Sequence, residues 1–391
     1  MSFSEWKTYQ LGELLEVKYG KDHKALSEGK IPAYGSGGIM RYVDKAIYDE
    51  VSILIPRKGS LNNIYFLDKP FWTVDTMFWT KVNQKLVDPK FLYYKLTTFN
   101  YSDMNVGSAV PSMTVPVLNE MEIVAPDLKT QQRIASILSS LDDAIELNQQ
   151  INKTLEEIAK AIFKEWFVDF NFPNATGKFQ ETEIGKIPVG WKVGKLGDIY
   201  KTTSGGTPSR AKLEYYENGI YQWVKSKELN GSFIIDTEER ITDVALKNSS
   251  AKILPPKTVL LAMYGATVGE IGIISNEATC NQAICAIISS ELSYTYIFQY
   301  LKNNKQNILN NAVGSAQQNI SQEIIKDFPI IVPNITQVKE VMYKCELFFE
   351  QVELNVIENL HLKQTRDYLL PKLISGEIRV KEAIKKVKDL V

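Results

Sequence analysis

The sequence predicts a mixed α/β chain with a pseudo-twofold repeat. Two similar globular modules are each followed by a long helix, and the two helices pair as an antiparallel coiled coil. Three observations predict it: the chain repeats itself, the end of each repeat carries apolar residues seven apart, and the remainder holds short Ile-, Val- and Tyr-rich runs broken by Gly, Pro and Asn.

The repeat rests on four pairs of segments. Trp6-Lys7-Thr8-Tyr9-Gln10-Leu11-Gly12-Glu13-Leu14 recurs as Trp191-Lys192-Val193-Gly194-Lys195-Leu196-Gly197-Asp198-Ile199, 185 residues on. Gly107-Ser108-Ala109 recurs as Gly314-Ser315-Ala316, 207 residues on. At the same offset of 207, Glu122-Ile123-Val124-Ala125-Pro126 matches Pro329-Ile330-Ile331-Val332-Pro333, and Glu146-Leu147-Asn148 matches Glu353-Leu354-Asn355. The offset therefore grows by 22 residues inside the globular part while the helical part keeps its length. One component varies and the other acts as a ruler.

The expected organisation follows. Module one covers 1–130 and a spacer helix 131–170. A linker with three Gly and two Pro covers 171–190. Module two covers 191–335, a second spacer helix 336–376, and a charged, frayed tail 377–391. Strands are expected at Val51–Pro56, Ile64–Leu67, Thr258–Met263 and Glu270–Ile274.

Both helices carry two interleaved heptad sets. The first has Ile134, Leu141, Asn148, Leu155 and Ile162, with Leu138, Ile145, Asn152 and Ala159 between them. The second has Val341, Phe348, Asn355, Leu362 and Leu369, with Cys345, Val352, Asn359 and Arg366. Asn148, Asn152, Asn355 and Asn359 sit near the middle of these seams. Amides at core positions fix register, because each needs a partner, and in an antiparallel pair the four would meet. Ordinary solvated helix positions are the alternative reading. The span from Ile134 to Ile162 is about 43 Å at roughly 1.5 Å per residue, or roughly 13 base pairs of duplex DNA.

Composition narrows the function classes. The chain of 391 residues is 44% hydrophobic and 23% charged, a globular profile of two or three domains. Its N-terminus has no basic stretch followed by an apolar one, and no run of about 18 apolar residues exists, so neither a signal peptide nor a membrane span is expected. Cys280, Cys285 and Cys345 have no metal-ligand spacing and read as buried reduced thiols of a cytoplasmic protein. No phosphate-binding Gly-rich loop, no His/Cys metal cluster and no Asn-Pro-Pro-Tyr/Phe motif is present, so no catalytic residue, metal or cofactor is assigned. Net charge is 0 over residues 1–129 and +1 over 191–335, so neither module is a non-specific polycation.

Nearly the whole chain resembles the specificity subunits of type I restriction–modification enzymes. The residues that carry the resemblance are the two Trp-Lys…Leu-Gly starts, Ser204-Gly-Gly-Thr-Pro-Ser209 and Trp223-Val-Lys-Ser-Lys-Glu-Leu229. To these are added Ile55-Pro-Arg-Lys-Gly-Ser60, Tyr264-Gly-Ala-Thr-Val-Gly269 and both Gly-Ser-Ala loops. Pro126-Asp-Leu-Lys-Thr-Gln-Gln-Arg-Ile134 opens the first helix. Phe163-Lys-Glu-Trp-Phe-Val-Asp-Phe170 and Leu369-Leu-Pro-Lys-Leu-Ile-Ser-Gly-Glu-Ile-Arg379 close the two. The resemblance implies a bacterial, non-catalytic subunit whose two modules are target-recognition domains. It implies double-stranded DNA as a ligand, with an asymmetric bipartite site. Two adenine methyltransferase subunits and, in the full enzyme, restriction/translocase subunits are the implied partners. One departure concerns the second helix start, where Pro333-Asn-Ile-Thr-Gln337 is one residue shorter than Pro126-Asp-Leu-Lys-Thr-Gln131.

Candidate DNA contacts follow from donors and acceptors placed at glycine turns. Arg57 and Lys58 leave a strand into Gly59-Ser60, which aligns with Gly265-Ala266 at an offset of 206, where Thr267 matches Leu61 and Tyr264 precedes the turn; two solvated surface charges are the alternative. Lys21, His23, Tyr34 and Arg41 lie in or near a Gly-rich polar region. In module two, Thr207, Ser209 and Arg210 follow a glycine pair, and Lys225, Ser226 and Lys227 follow Trp223. Ser108 and Ser112 in one loop and Gln317, Gln318 and Asn319 in the other are base-reading candidates or simple turn residues. Trp72, Trp79 and Trp223 read as core. Two rival functions remain: a stand-alone DNA-binding protein that recruits no methyltransferase, and an enzyme of unusual motif, against which the unduplicated carboxylates and Asn-Pro motifs speak.

Overall fold

The computed structural model describes residues 6–104, 111–289, 292–310 and 319–390. The chain divides into two compact units, Met1–Glu146 with Leu360–Val391, and Leu147–Asn359. Both division points fall inside a long helix, Leu128–Phe163 and Ile335–Ser375.

The described strands of the first unit are Lys7–Gln10 (β1), Leu15–Tyr19 (β2), Glu28–Gly35 (β3), Gly38–Val43 (β4), Ser52–Pro56 (β5), Tyr65–Leu67 (β6), Trp72–Thr73 (β7), Met77–Val82 (β8) and Glu122–Ala125 (β9). They form an antiparallel sheet in the order β2-β8-β5-β6, a three-stranded sheet β4-β3-β7, and the pair β1-β9. In the small sheet, β3 runs antiparallel to β4 and parallel to β7.

The second unit opens with the hairpin Phe179–Thr182 (β10) and Gly185–Pro188 (β11). There follow Lys192–Lys195 (β12), Lys201–Ser204 (β13), Tyr221–Val224 (β14), Phe233–Ile234 (β15), Arg240–Ile241 (β16), Val259–Ala262 (β17), Ile271–Ile274 (β18), Thr279–Cys280 (β19), Ile284–Ile288 (β20) and Pro329–Val332 (β21). Its sheets, β13-β20-β17-β18-β15, β16-β14-β19 and β12-β21, repeat the first unit's pattern with one added edge strand. Most of the extra length of module two lies between β14 and β17, where β15 and the helix Asp243–Lys247 are found. The insertion extends an edge and leaves the shared strand order intact.

Below the topology, one packing contact is kept while its residue moves. Trp72 on β7 faces Ala33 on β3, and its indole N–H donates to Lys21 O at 3.0 Å. In the second unit the tryptophan sits on the other member of the pair: Trp223 on β14 faces Thr279 on β19 and donates to Gly206 O at 3.0 Å. Both rings are buried, as is Trp79. Each buried indole finds an acceptor, and the repeat preserves the hole rather than the residue that fills it.

Within each unit the two long helices run antiparallel. In the first, Ile134, Leu138, Leu141 and Ile145 share a core with Leu362, Leu369 and Leu373. The seam position Arg366 pairs with Asp142 at 2.7 Å, and Asp142 also accepts the Tyr94 hydroxyl at 2.6 Å, which ties module one to its helix. In the second unit Ala159 and Phe163 share a core with Val341, Cys345 and Val352. There the buried residue is Phe349; Phe348, the heptad position, is only half-buried. The same unit holds the amides: Asn148 Nδ2 donates to Asn359 Oδ1 at 3.1 Å, and Asn355 Nδ2 donates to Asn152 Oδ1 at 2.7 Å. All four are no more than 9% exposed.

The two helix starts differ in where their glutamine falls. Gln131 N–H donates to Asp127 O, four residues back, whereas Gln337 N–H donates to Asn334 O, three residues back. The second helix therefore opens with a tighter first turn. Each glutamine then anchors its helix: Gln131 Oε1 accepts the Asp88 N–H at 2.8 Å, and Gln337 Oε1 accepts the Trp191 indole at 2.9 Å.

Two expectations are corrected. The 171–190 segment is no loose linker: it carries the β10-β11 hairpin, and Phe172 and Ile187 are buried with Trp191 in the second unit's core, Phe172 stacking on Trp191 at 5.1 Å. The tail is not frayed either. Gly376, at φ 78°, ends the second long helix, and Val380–Leu390 forms another helix that buries Ala383 in the first unit's core. Both stretches look polar in sequence because only one or two of their residues turn inward.

The amide pairs carry a stability prediction. Asn152→Ala leaves Asn355 Nδ2 without its acceptor and is expected to cost about 1–3 kcal/mol in urea denaturation. Replacing Asn152 and Asn355 together by Leu should recover most of that loss; a double variant as unstable as the two singles combined would show that the pair is not coupled.

Candidate nucleic-acid interface

In module one a four-residue segment, Thr73–Thr76, gathers most of the loops. It leaves the small sheet after β7 and enters the large one at β8, and its backbone binds what lies beside it. Thr73 O accepts the Lys21 N–H at 2.8 Å, and Val74 N–H donates to Tyr34 O at 3.0 Å. Asp75 O accepts the Arg57 guanidinium at 3.1 Å, while Thr76 O accepts the N–H groups of Arg57 at 2.8 Å and Lys58 at 3.3 Å. Arg57 O in turn accepts the Met113 N–H at 2.9 Å, and Lys58 bridges to Ser112. Gly59, at φ 87°, turns the chain where a Cβ would be strained and presents Ser60 to solvent.

Module two builds the same arrangement with Cys280–Ala283. Cys280 O accepts the Gly206 N–H at 2.9 Å, Asn281 N–H donates to Val224 O at 2.9 Å, and Ala283 O accepts the Met263 N–H at 2.7 Å. Met263 O accepts the Ile320 N–H at 2.9 Å, Tyr264 bridges to Asn319, and Gly265 turns the chain at φ 79°. Thr267 closes the short helical turn Gly265–Thr267. These are backbone contacts, so they constrain conformation without fixing side chains.

The structure thus brings Lys21, Tyr34, Arg57, Lys58, Ser60 and Ser112 to one face of module one, and Thr207, Tyr264, Thr267 and Asn319 to the equivalent face of module two. His23 sits on the neighbouring 21–27 turn, and Arg41 reaches that turn from β4: its guanidinium donates to Leu26 O at 2.9 Å, and His23 Nδ1 is buried with no hydrogen-bond partner among the described residues. Tyr34 packs against Tyr65 at 5.4 Å, and burial raises its hydroxyl's pKa, so it shapes the site from beneath. Ser209 is exposed, and Ser226 opens the helical turn Ser226–Glu228. Ser108, Gln317 and Gln318 lie outside the described residues.

The two faces differ in charge. Arg57 lies over the Tyr19 ring at 5.3 Å, and neither Arg57 nor Lys58 has an ion-pair partner among the described residues. In module two the expected cations are already neutralised. Arg210 pairs with Glu239, Lys225 with Glu238 at 2.8 Å and Glu239 at 2.7 Å, and Lys227 with Glu238 at 2.7 Å. Arg210 also lies over the Tyr216 and Trp223 rings at 4.4 and 4.8 Å. Hydrogen bonds from Arg210 and then Lys225 pull the Glu239 carboxyl down to about 2. These cations brace the inserted segment and are not free for phosphate, a role set by two glutamates distant in sequence.

Two residues escaped the sequence reading. Asp75 and Gln282 are the exposed midpoints of the two gathering segments. Gln282 is held by the Thr207 hydroxyl, which donates to its Oε1. Carrying the 207-residue offset through the strands would have paired the two positions.

A family model described as "Type I restriction modification DNA specificity domain" matches residues 3–157 and again 188–358. This chain belongs to that family. It is similar to the MjaIX specificity subunit of Methanocaldococcus jannaschii, with 30% identity over 86% of this chain and 79% of that one. It is also 29% identical to the HindI specificity subunit of Haemophilus influenzae, over 96% of this chain and all of the other. The fold matches that of a type I S subunit from M. genitalium with a TM-score of 0.67 at 17% identity, covering 94% of this chain and 96% of that one. The domain occurs twice in this chain. Among the described residues no cluster of His, Cys, Asp or Glu could hold a metal ion, and no helix is long and apolar enough to cross a membrane.

The Glu239 cluster gives this subunit a pH signature. A carboxyl held at about 2 against an ordinary 4.5 stabilises the fold above pH 4.5, and the contribution fades as pH falls toward 2. The stability gap between the parent chain and Glu239→Gln should therefore be widest near neutrality and narrow between pH 4.5 and about 2 in denaturant titrations. A gap constant with pH would mean that the ion pairs do not form in solution.

Proposed function

We propose that this type I specificity subunit reads an asymmetric bipartite site on double-stranded DNA, one half-site per module. It directs two adenine methyltransferase subunits there and, in the full complex, the restriction/translocase subunits. It carries out no chemistry and takes no cofactor. The observation that carries the reading is the duplicated loop cluster: one backbone frame, built twice, with different side chains at equivalent positions. A duplicated active site would repeat its reactive groups, whereas a duplicated reader repeats its frame and varies what it displays. Near-zero module charge agrees with this, since a subunit in a larger assembly leaves part of the phosphate contact to its partners.

The long helices suit the role of spacer. Their apolar seams and buried amides allow one register, and a fixed register holds a fixed gap. With half-sites of 3–4 base pairs, about one helical turn from centre to centre leaves roughly 6–7 base pairs unread.

The test is selection from random duplex DNA with the chain co-expressed with its methyltransferase partner. Two short, unlike blocks separated by a constant gap of roughly 6–7 base pairs are expected. One contiguous block, or none, would overturn the two-reader account. A second prediction concerns the spacer: inserting seven residues into one helix should change the preferred gap or abolish binding, and an unchanged gap would end the ruler idea.

A further inference from the structure

The equivalent positions of the two faces differ in a chemically directed way. At the centre of module one stand Arg57 and Asp75. The Arg57 guanidinium is braced on one side by Asp75 O at 3.1 Å and from below by the Tyr19 ring at 5.3 Å. It thus keeps donors free on its remaining edge, in a fixed plane. Beside it the exposed Asp75 carboxylate, with no ion-pair partner among the described residues, is an acceptor only. In the major groove, guanine offers two acceptors that suit a planar guanidinium, and its cytosine partner offers an amino donor that suits a carboxylate. One rigid donor next to one acceptor is the complement of a G·C pair.

Module two has neither group. Met263, equivalent to Arg57, is 1% exposed, and Gln282 takes the place of Asp75. The Thr207 hydroxyl holds the Gln282 carbonyl and thereby orients its amide. An oriented amide both donates and accepts, which matches the N7 and amino group of adenine. The surrounding Tyr264, Thr267 and Asn319 add hydroxyls and a second amide, and Arg210, Lys225 and Lys227 are occupied by Glu238 and Glu239.

We infer that module one reads a G·C pair through Arg57 and Asp75, while module two reads an A·T pair through the adenine contacted by Gln282. The inference rests on the two-reader function proposed above and names the base class each half-site contains. Arg57 and Asp75 are base-reading groups, and Thr207 is a positioning residue that acts through Gln282.

The test repeats the selection with the full-length chain and its methyltransferase partner, using Arg57→Lys, Asp75→Asn and Gln282→Ala. Arg57→Lys keeps the charge and removes the planar fork, so preference for G·C at one position of one half-site should fall about tenfold or more while the other positions of the motif keep theirs. Asp75→Asn should relax the same position of the same half-site, and it serves as the milder variant if Arg57→Lys disturbs the loop. Gln282→Ala should relax an A·T position in the other half-site by a similar factor. Uniform weakening across all sequences would make Arg57 a phosphate contact and overturn the assignment. An A·T position answering to Arg57, or a G·C position answering to Gln282, would overturn it equally. Loss of any bipartite motif in the unmodified chain would instead refute the two-reader function, and the base assignment with it.

Discussion

Each module depends on a short run of backbone hydrogen bonds from one segment between its two sheets. Thr73–Thr76 and Cys280–Ala283 each carry a chain from a parallel pairing in a small sheet to an antiparallel one in a large sheet. At that crossing the backbone groups cannot pair within one regular ladder, and leaving them buried and unpaired would cost about 1–3 kcal/mol each. They are satisfied by neighbouring loops instead. The loop after β2, the end of β3, the turn after β5 and the stretch around Met113 are all drawn to one place. The site is a by-product of completing the hydrogen bonding between two sheets.

A frame of this kind separates stability from recognition. Because its contacts are N–H to carbonyl, Arg57 and Met263 occupy the same frame although one is a cation and the other buried and apolar. The tryptophan exchange makes the same point in the core, where the indole is supplied from β7 in one unit and β14 in the other. Side chains that hold the fold and side chains that meet the ligand are then under different constraints. The side chains on the exposed face can change without rebuilding the module.

Much of this was legible in sequence, and the part that was not has physical reasons. Heptads and the 207-residue offset located both long helices, and the Asn148–Asn359 and Asn152–Asn355 pairs follow from antiparallel alignment of seams with amides at their centres. Apolar runs located β5, β9, β17, β18 and β21 to within two residues. Asp75 and Gln282 were invisible because their importance comes from strands 40–70 residues apart meeting at the crossing, and periodicity carries no such information. The neutralisation of Arg210, Lys225 and Lys227 was hidden for a similar reason. A lysine after a strand reads as free charge until the fold places Glu238 and Glu239 against it.

That neutralisation bears on how a nearly uncharged chain handles a polyanion. In module two the cations, glutamates and aromatic rings form a closed set: Arg210 lies over Tyr216 and Trp223 and is held by Glu239, which also holds Lys225. Charges used in this way brace the inserted segment and add little long-range attraction, since each is cancelled within a few ångströms. The module is left with amides and hydroxyls at its centre, groups that discriminate among base edges but attract every sequence equally weakly from afar. A reader built this way gains little from non-specific binding. On the function proposed, its ratio of specific to non-specific affinity is therefore set by the fit of a few fixed side chains, and the attraction that brings DNA close falls to its partners.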